Sequence, residues 1–358
     1  MAVHFHQLTI KQLNKETPDS VVITLEIPET LREAFRFIPG QNLTVKTNLN
    51  GEEVRRSYSI CSAPFENKLC IAVKKIDQGK FSAHANEYLQ QGDTIEVLPP
   101  TGRFIINPDP NQKKQYLAFA AGSGITPVIS IIKAILTSEP FSTFTLVYGN
   151  RTRASIMFFE ELEGLKNKYV ERFNLINILS REKTDLPINF GRIDTAKLTA
   201  LKSLVNYKLF NEVFICGPTE MLFCVKDYLI KQGLDEPHIH FELFTTPGQK
   251  LSAPANATIE KNDALKSKVT IISDGRSLSF DLPFGSDSIL DAALKQGVDL
   301  PFACKGGVCS TCRAKLIEGK VTMDSNYALE KDEVAAGYIL TCQSHPLTEN
   351  VVVNFDLR

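Results

Sequence analysis

Four of the eight cysteines in this 358-residue chain share one pattern: Cys304, Cys309 and Cys312 lie within nine residues, and Cys342 follows after 29 more. The spacing C-x4-C-x2-C with one distant cysteine suits a 2Fe-2S cluster, because two tetrahedral irons together need four thiolates from the protein. A single loop supplies three of them if its backbone turns sharply, which Gly306 and Gly307 would permit. Amide N–H groups exposed by such a turn can hydrogen-bond the sulfurs and tune the reduction potential. A Zn(Cys)4 site is the alternative use of the four thiolates. Zinc ribbons usually pair two C-x2-C units, however, and this stretch has one.

Other residues suit a flavin and a nicotinamide dinucleotide. Arg56, Tyr58 and Ser59, in the run R-S-Y-S, offer a cationic fork for phosphate, an aromatic ring for a flavin face and a hydroxyl for its polar edge. Gly79, Lys80 and Ser82 open a helical segment running to Gln91, where amide groups and a hydroxyl can meet a pyrophosphate. Each of these motifs alone also reads as an ordinary strand end or helix cap. Gly122, Gly124 and Thr126 belong to A-G-S-G-I-T-P, between an apolar strand and a helix, where glycines admit a pyrophosphate close to the backbone. Pro127 stands where a full G-x-G-x-x-G would place its last glycine, so a generic turn is the competing reading. After the strand Phe144 to Tyr148 comes Gly-Asn-Arg-Thr-Arg, with no acidic residue to grip a ribose 2′-hydroxyl. Arg151 and Arg153 can bind a 2′-phosphate instead, which favours NADPH, or they are solvated surface arginines.

The elements that must position these residues change along the chain. Up to about residue 105, short alternating apolar runs separated by Gly, Pro, Asn and Asp turns predict an antiparallel β-barrel. From Gln115 strands alternate with helical patterns, the signature of a doubly wound parallel α/β domain. Thr245 to Ser267 is rich in Ala, Pro, Asn, Thr and Lys with no hydrophobic period and reads as a linker. From Lys268 two strands, a helix and the cysteine loop predict a small α+β, β-grasp unit. The expected fold is therefore multidomain: a flavin barrel over 1–108, a nucleotide domain over 109–245, a linker over 246–267 and a 2Fe-2S domain over 268–358.

Taken together, R-S-Y-S, G-K-F-S, G-S-G-I-T-P and Cys216-Gly217-Pro218 resemble the ferredoxin–NADP reductase superfamily, and residues 268–358 resemble plant-type ferredoxins. Pro100-Thr101-Gly102-Arg103-Phe104 matches that superfamily's turn at the end of the barrel. The resemblance implies that Arg56 holds the flavin phosphate, that Tyr58 stacks on the flavin and that Ser59 lies near its reactive nitrogen. It places Cys216, Gly217 and Pro218 beside the nicotinamide. Glu242 and Phe244 would be a polar neighbour and a ring shielding the other flavin face, against the plainer reading of a solvated Glu and a core Phe. The module order implies FAD, NADPH and a 2Fe-2S cluster feeding a di-iron oxygenase that epoxidises the ring of phenylacetyl-CoA. Reductases of hybrid-cluster proteins and of ring-hydroxylating dioxygenases share the order, and phthalate-type relatives use FMN, so those alternatives stay open here.

Composition narrows the function classes. With 40 Lys+Arg against 41 Asp+Glu the formal charge is −1, which argues against a nucleic-acid partner. The apolar stretch Tyr116 to Leu136 is broken by Gly122, Gly124 and Pro127 and reads as strand, loop and helix, not a membrane span. The start lacks the layout of a signal peptide, and the cysteine usage favours metal or redox chemistry in the cytoplasm over a disulfide framework. Two histidine pairs, His4 with His6 and His238 with His240, have no further ligands in sequence and read as surface or core residues. Cys61, Cys70 and Cys224 read as small packing residues, and Ser59 lacks the G-x-S-x-G elbow of a hydrolase nucleophile. A redox-responsive binding module that merely carries these cofactors is the reading from a different class.

Overall fold

The computed structural model describes residues 4–244 and 262–357, the side chains of 262–264 excepted. Contacts divide the chain into two compact units, one mainly of residues 6–54 and 58–244 and the other mainly of the chain beyond 244.

The first unit opens with β1 (His6–Thr17), β2 (Ser20–Glu26), β3 (Asn42–Leu49), β4 (Glu52–Ser59), β5 (Leu69–Lys74), α1 (Lys80–Glu87) and β6 (Thr94–Val97). The strands are ordered β4-β3-β6-β1-β2-β5, and an antiparallel bridge from Ile60 to Ile71 joins the two edges into a barrel. Alternation explains the interior: Leu8 and Ile10, Val21, Ile23 and Leu25, and Val54 all point into one buried cluster.

The same unit continues with β7 (Gln115–Ala121), α2 (Ile125–Ser138), β8 (Thr143–Asn150), α3 (Phe159–Lys168), β9 (Phe173–Leu179), α4 (Thr195–Leu201), β10 (Glu212–Gly217), α5 (Thr219–Lys231) and β11 (Ile239–Leu243). The sheet is parallel in the order β11-β10-β7-β8-β9. The chain order reverses beside β7, so the crevice for a ligand lies at the carboxyl ends of β7 and β10. Helix α2 buries 12 of its 14 residues, which is why its sequence is apolar nearly all round. Each fully buried Ile there is worth roughly 1.5–3 kcal/mol.

The barrel keeps its own interior, but its outer side is packed on the sheet domain. Cys61, Cys70, Ala72 and Phe104 share a cluster with α2, β7 and β8, and Phe104 meets Phe214 edge to face at 5.5 Å. Lys133 of α2 is buried among these groups and pairs with Glu66 at 2.8 Å and Glu161 at 3.0 Å. Barrel and sheet thus pack directly on one another, through a cluster that lies outside the barrel interior.

The second unit contains β12 (Asn262–Ser273), β13 (Arg276–Phe284), α6 (Ile289–Lys295), β14 (Arg313–Glu318), β15 (Val321–Met323), α7 (Lys331–Ala335), β16 (Tyr338–Leu340), β17 (Ser344–Pro346) and β18 (Asn350–Asn354). Its mixed sheet runs β13-β12-β18-β14-β16, with β12 and β18 parallel, and α6 contributes Ile289, Leu290 and Ala293 to the core. Strand β12 begins at Asn262, inside the span read as linker. Lys266 and Ser267 pair with Pro283 and Leu282, and backbone pairing overrides a composition that lacks hydrophobic period. The remainder of that span, 246–261, lies outside the described residues.

Candidate functional site

Strand β4 brings Arg56, Tyr58 and Ser59 to its carboxyl end. The half-buried Tyr58 ring is backed by the buried Phe81 of α1, centroids 5.4 Å apart, so its orientation is held from behind. The Arg56 guanidinium donates to the Arg55 carbonyl at 2.7 Å. Ser82 is buried; its hydroxyl donates to the Gly79 carbonyl at 3.2 Å and accepts from the Ile76 N–H at 3.3 Å. A Cβ on Gly79 would lie 2.3 Å from that hydroxyl oxygen and 2.4 Å from Ile76 Cγ1, so a larger residue would displace these side chains. Lys80 pairs with Glu52. Ser82 and Lys80 therefore have protein partners and organise the turn into α1, beside an open cavity of about 450 Å³ that Gly79 and Lys80 help to line. A supported aromatic ring, a guanidinium on the same strand and a buried Ser59 hydroxyl are a donor set that fits a flavin.

At the carboxyl edge of the parallel sheet, Gly122 sits at φ +53° and its carbonyl accepts from the buried Tyr148 hydroxyl at 2.9 Å. A Cβ on Gly124 would come within 2.2 Å of the Cys216 carbonyl oxygen, so glycine is what lets the loop lie against β10. The Thr126 hydroxyl donates to the Ser123 carbonyl at 3.0 Å, closing the turn into α2. Pro127 falls in the first turn of α2, where proline is tolerated. Gly122, Gly124, Thr126, Cys216 and Gly217 are thus brought together, and the exposed Pro218 caps α5. Open space around Gly122 and a following helix start fit a dinucleotide phosphate.

Cys216 is fully buried and lies in register with Glu242 of β11; burial first, and then the Glu242 charge, push its thiol well above the ordinary range. Ser59 donates its hydroxyl to the Glu242 carboxylate at 2.8 Å. The barrel strand and the sheet edge therefore meet at Ser59, Glu242 and Cys216. Phe244 is half-buried and packs on the core cluster that includes Cys216.

Arg151 and Arg153 are exposed at the end of β8. Arg153 has its guanidinium 4.8 Å over the Phe159 ring, and its backbone N–H donates to Glu182 at 2.8 Å. Arg181, which sequence reasoning missed, donates its backbone N–H to the Arg151 carbonyl at 2.8 Å. Its signal was its place just after β9, the next strand of the same sheet.

In the second unit the loop that carries Cys304, Cys309 and Cys312 follows α6, with Lys305, Gly307 and Ser310 in the left-handed region. The Gly306 N–H donates to Cys304 Sγ at 3.3 Å, and a Cβ on Gly307 would lie 2.7 Å from the Ser325 carbonyl oxygen. Neighbouring thiols act on one another: Cys309 and burial lift the Cys304 thiol, Cys304 holds Cys309 down, and Cys342 with burial lifts the Cys312 thiol. Among the described residues no three His, Cys, Asp or Glu groups gather around a point suited to one ion. Four thiols brought together by the 304–312 loop and by the segment of Cys342, which Gln343 ties to the Lys305 carbonyl, are a donor set that fits a 2Fe-2S cluster.

Two packing expectations need correction. Cys224 is half-exposed, with Sγ 3.4 Å from the Thr195 hydroxyl, because its face of α5 turns toward α4 and not into the interior. His238 and His240 do have a companion: Glu212 Oε2 lies 3.4 Å from His238 and 3.0 Å from His240, while Lys114 takes the other oxygen at 3.0 Å. The cation of Lys114 makes this an ion-pair network, not a metal site.

Family models match an oxidoreductase FAD-binding domain over residues 7–106, an oxidoreductase NAD-binding domain over 119–227 and a 2Fe-2S iron-sulfur cluster binding domain over 271–347. The chain belongs to the ferredoxin–NADP reductase superfamily with a C-terminal plant-type 2Fe-2S domain, and is an NAD(P)H-dependent oxidoreductase that carries electrons through FAD and the cluster. It is 48% identical over 355 residues to one of the subunits of 1,2-phenylacetyl-CoA epoxidase from Escherichia coli strain K12, covering 99% of this chain and 98% of that one. The ferredoxin reductase component of Rhodococcus rhodochrous 3-ketosteroid-9-alpha-monooxygenase is 33% identical over 97% of this chain and 96% of its own. Among solved structures, phthalate dioxygenase reductase matches at 25% identity with a TM-score of 0.57, covering 98% of both chains. Among the described residues no helix is long and apolar enough to cross a membrane.

Proposed function

We propose that this chain is the reductase component of a di-iron oxygenase that epoxidises the ring of phenylacetyl-CoA, with NADPH as its electron source and FAD as its flavin. When bound, the flavin supplies conversion between hydride and single-electron transfer, and the cluster supplies one-electron carriage. The chain's own residues set the geometry. Arg56 would hold the flavin phosphate and Tyr58 would stack on the ring, braced by Phe81. The Gly122–Gly124 turn would receive the nucleotide pyrophosphate, with Cys216, Gly217 and Pro218 along the nicotinamide. Arg151 and Arg153, joined by Arg181, would take a 2′-phosphate; Phe244 would shield the second flavin face. Cys304, Cys309, Cys312 and Cys342 would hold the irons. The domain bounds 1–108, 109–245, 246–267 and 268–358 are retained, with β12 starting inside the third, and a cytoplasmic setting follows from the need for NADPH and reduced thiols.

The observation that carries the reading is the Ser59–Glu242 hydrogen bond at 2.8 Å, which joins the end of the flavin strand to the strand beside Cys216. The acceptor rests on the full-length likeness to the epoxidase component. A ring-hydroxylating dioxygenase is the second acceptor reading, supported by the likeness to phthalate dioxygenase reductase. Reconstitution with the purified di-iron epoxidase, NADPH and phenylacetyl-CoA tests both. Epoxide should form in step with NADPH consumed. Rapid ferricyanide reduction without epoxide would reject the acceptor, a higher kcat/KM with NADH would reject the nucleotide preference, and FMN released on denaturation would reject FAD.

A further inference from the structure

The side chain of Gln343, next to the last cysteine, is built into the cluster loop. Its Nε2 lies 2.9 Å from the Lys305 carbonyl, 2.9 Å from the Cys342 carbonyl and 3.8 Å from Cys342 Sγ. An amide end facing two carbonyls at that distance must be the nitrogen, so the donor assignment follows from the network. The amide has two hydrogens for three acceptors. One is committed to Lys305, and the other is shared between the carbonyl and the sulfur of Cys342. The residue is also held in place: its backbone N–H donates to the Leu340 carbonyl, its carbonyl accepts from the Asp324 N–H, and a Cβ on Gly307 would lie 3.2 Å from its Cγ.

We propose that Gln343 is a tuning and positioning residue of the 2Fe-2S cluster: it ties the Cys304–Cys312 loop to Cys342 and donates a hydrogen bond to the Cys342 thiolate. The proposal rests on reading the four cysteines as the ligands. Hydrogen bonds to charged acceptors are stronger than those to neutral ones, so the shared hydrogen shifts from carbonyl to sulfur once Cys342 is a metal-bound thiolate. A donor at that sulfur stabilises the extra negative charge of the reduced cluster more than the charge of the oxidised one, and so raises the reduction potential. Backbone amides such as that of Gly306 act the same way but are lost only on substitution to proline, which also bends the loop, whereas the Gln343 donor can be removed at constant length.

Pulsed EPR on the reduced full-length holoprotein, made with glutamine carrying 15N in its side chain, should show a 15N coupling to the cluster. Gln343→Met, which keeps length and removes the donor, should abolish the coupling and shift the cluster midpoint to lower potential, with its 2Fe-2S signal retained. Gln343→Glu should lower the midpoint further at neutral pH and make it pH-dependent. A wild-type cluster signal without the coupling, or variants with an unchanged midpoint, would overturn the role of Gln343. If the Met variant does not retain the cluster, the wild-type coupling decides alone. Absence of any 2Fe-2S signal in wild type would instead overturn the ligand reading.

Discussion

In the 2Fe-2S unit three of the four proposed ligands come from nine consecutive residues, and the fold has only to deliver Cys342. At the flavin–nicotinamide junction Ser59 and Glu242 are 183 positions apart and meet because a barrel strand and the edge strand β11 end at the same place. The first site is shaped by its own backbone: Lys305, Gly307 and Ser310 adopt left-handed conformations that turn the loop. The second is shaped by packing, through a core shared by Phe104, Cys61 and the buried face of α2. Damage to a loop ligand should therefore stay local, whereas damage to the shared interior should spread through the reductase unit.

The largest effect should come from Cys309→Ser. Transfer to a one-electron acceptor that depends on the cluster should fall by about a hundredfold or more, while anaerobic flavin reduction by NADPH stays near wild type; equal loss of both would mean the two sites are not separable. Next is Ser59→Ala, which removes the bond to Glu242. Misplacement near reacting atoms costs on the order of 10²-fold, so stopped-flow flavin reduction should slow by roughly that factor with the cluster EPR signal unchanged. An unchanged rate would show that the junction does not depend on this contact.

Glu212→Gln probes the far edge of the same sheet. Burial works to raise the Glu212 carboxyl, but His240 and Lys114 outweigh it and hold it at about 2, below its ordinary 4.5. A carboxyl with a lowered folded-state pKa contributes stability that is full above its unfolded pKa and is lost as pH falls through the folded one. The variant should lose about 2 kcal/mol at neutral pH, and the gap to wild type should close between pH 4.5 and about 2, read as chemical unfolding of the flavin-bearing unit. A gap independent of pH would sink the account. The smallest effect is expected for Tyr148→Phe. Loss of one hydrogen bond to the Gly122 carbonyl is worth about 1 kcal/mol, or roughly a fivefold rise in KM for NADPH with kcat kept. A fall in kcat instead would place Tyr148 closer to the chemistry than to the phosphate loop.

Much of the fold was legible because each element announced its period. Strand β7, the Gly122–Gly124 turn and helix α2 follow the apolar run and its interruption, and the parallel sheet follows the alternation after Gln115. Less legible were β14 to β18, short strands whose pairing is set by partners far along the chain, and the start of β12, polar residues recruited by pairing with β13. The roles of Lys133 and Glu212 had no local signature, since a lysine in an apolar helix declares nothing about the two carboxylates it meets. Gln343 was invisible for the same reason, and Arg181 showed only its place after β9: each acquires its partner from another segment.

By itself the sequence determined the cofactor classes, because thiolate spacing, glycine positions and the order of modules constrain backbone chemistry within short windows. Tertiary structure alone decided that the segment of Cys342 closes on the 304–312 loop, that Glu242 receives the Ser59 hydroxyl, and that the outer side of the barrel packs on the sheet. Those outcomes depend on distances between segments remote in sequence, and only packing and strand register set such distances.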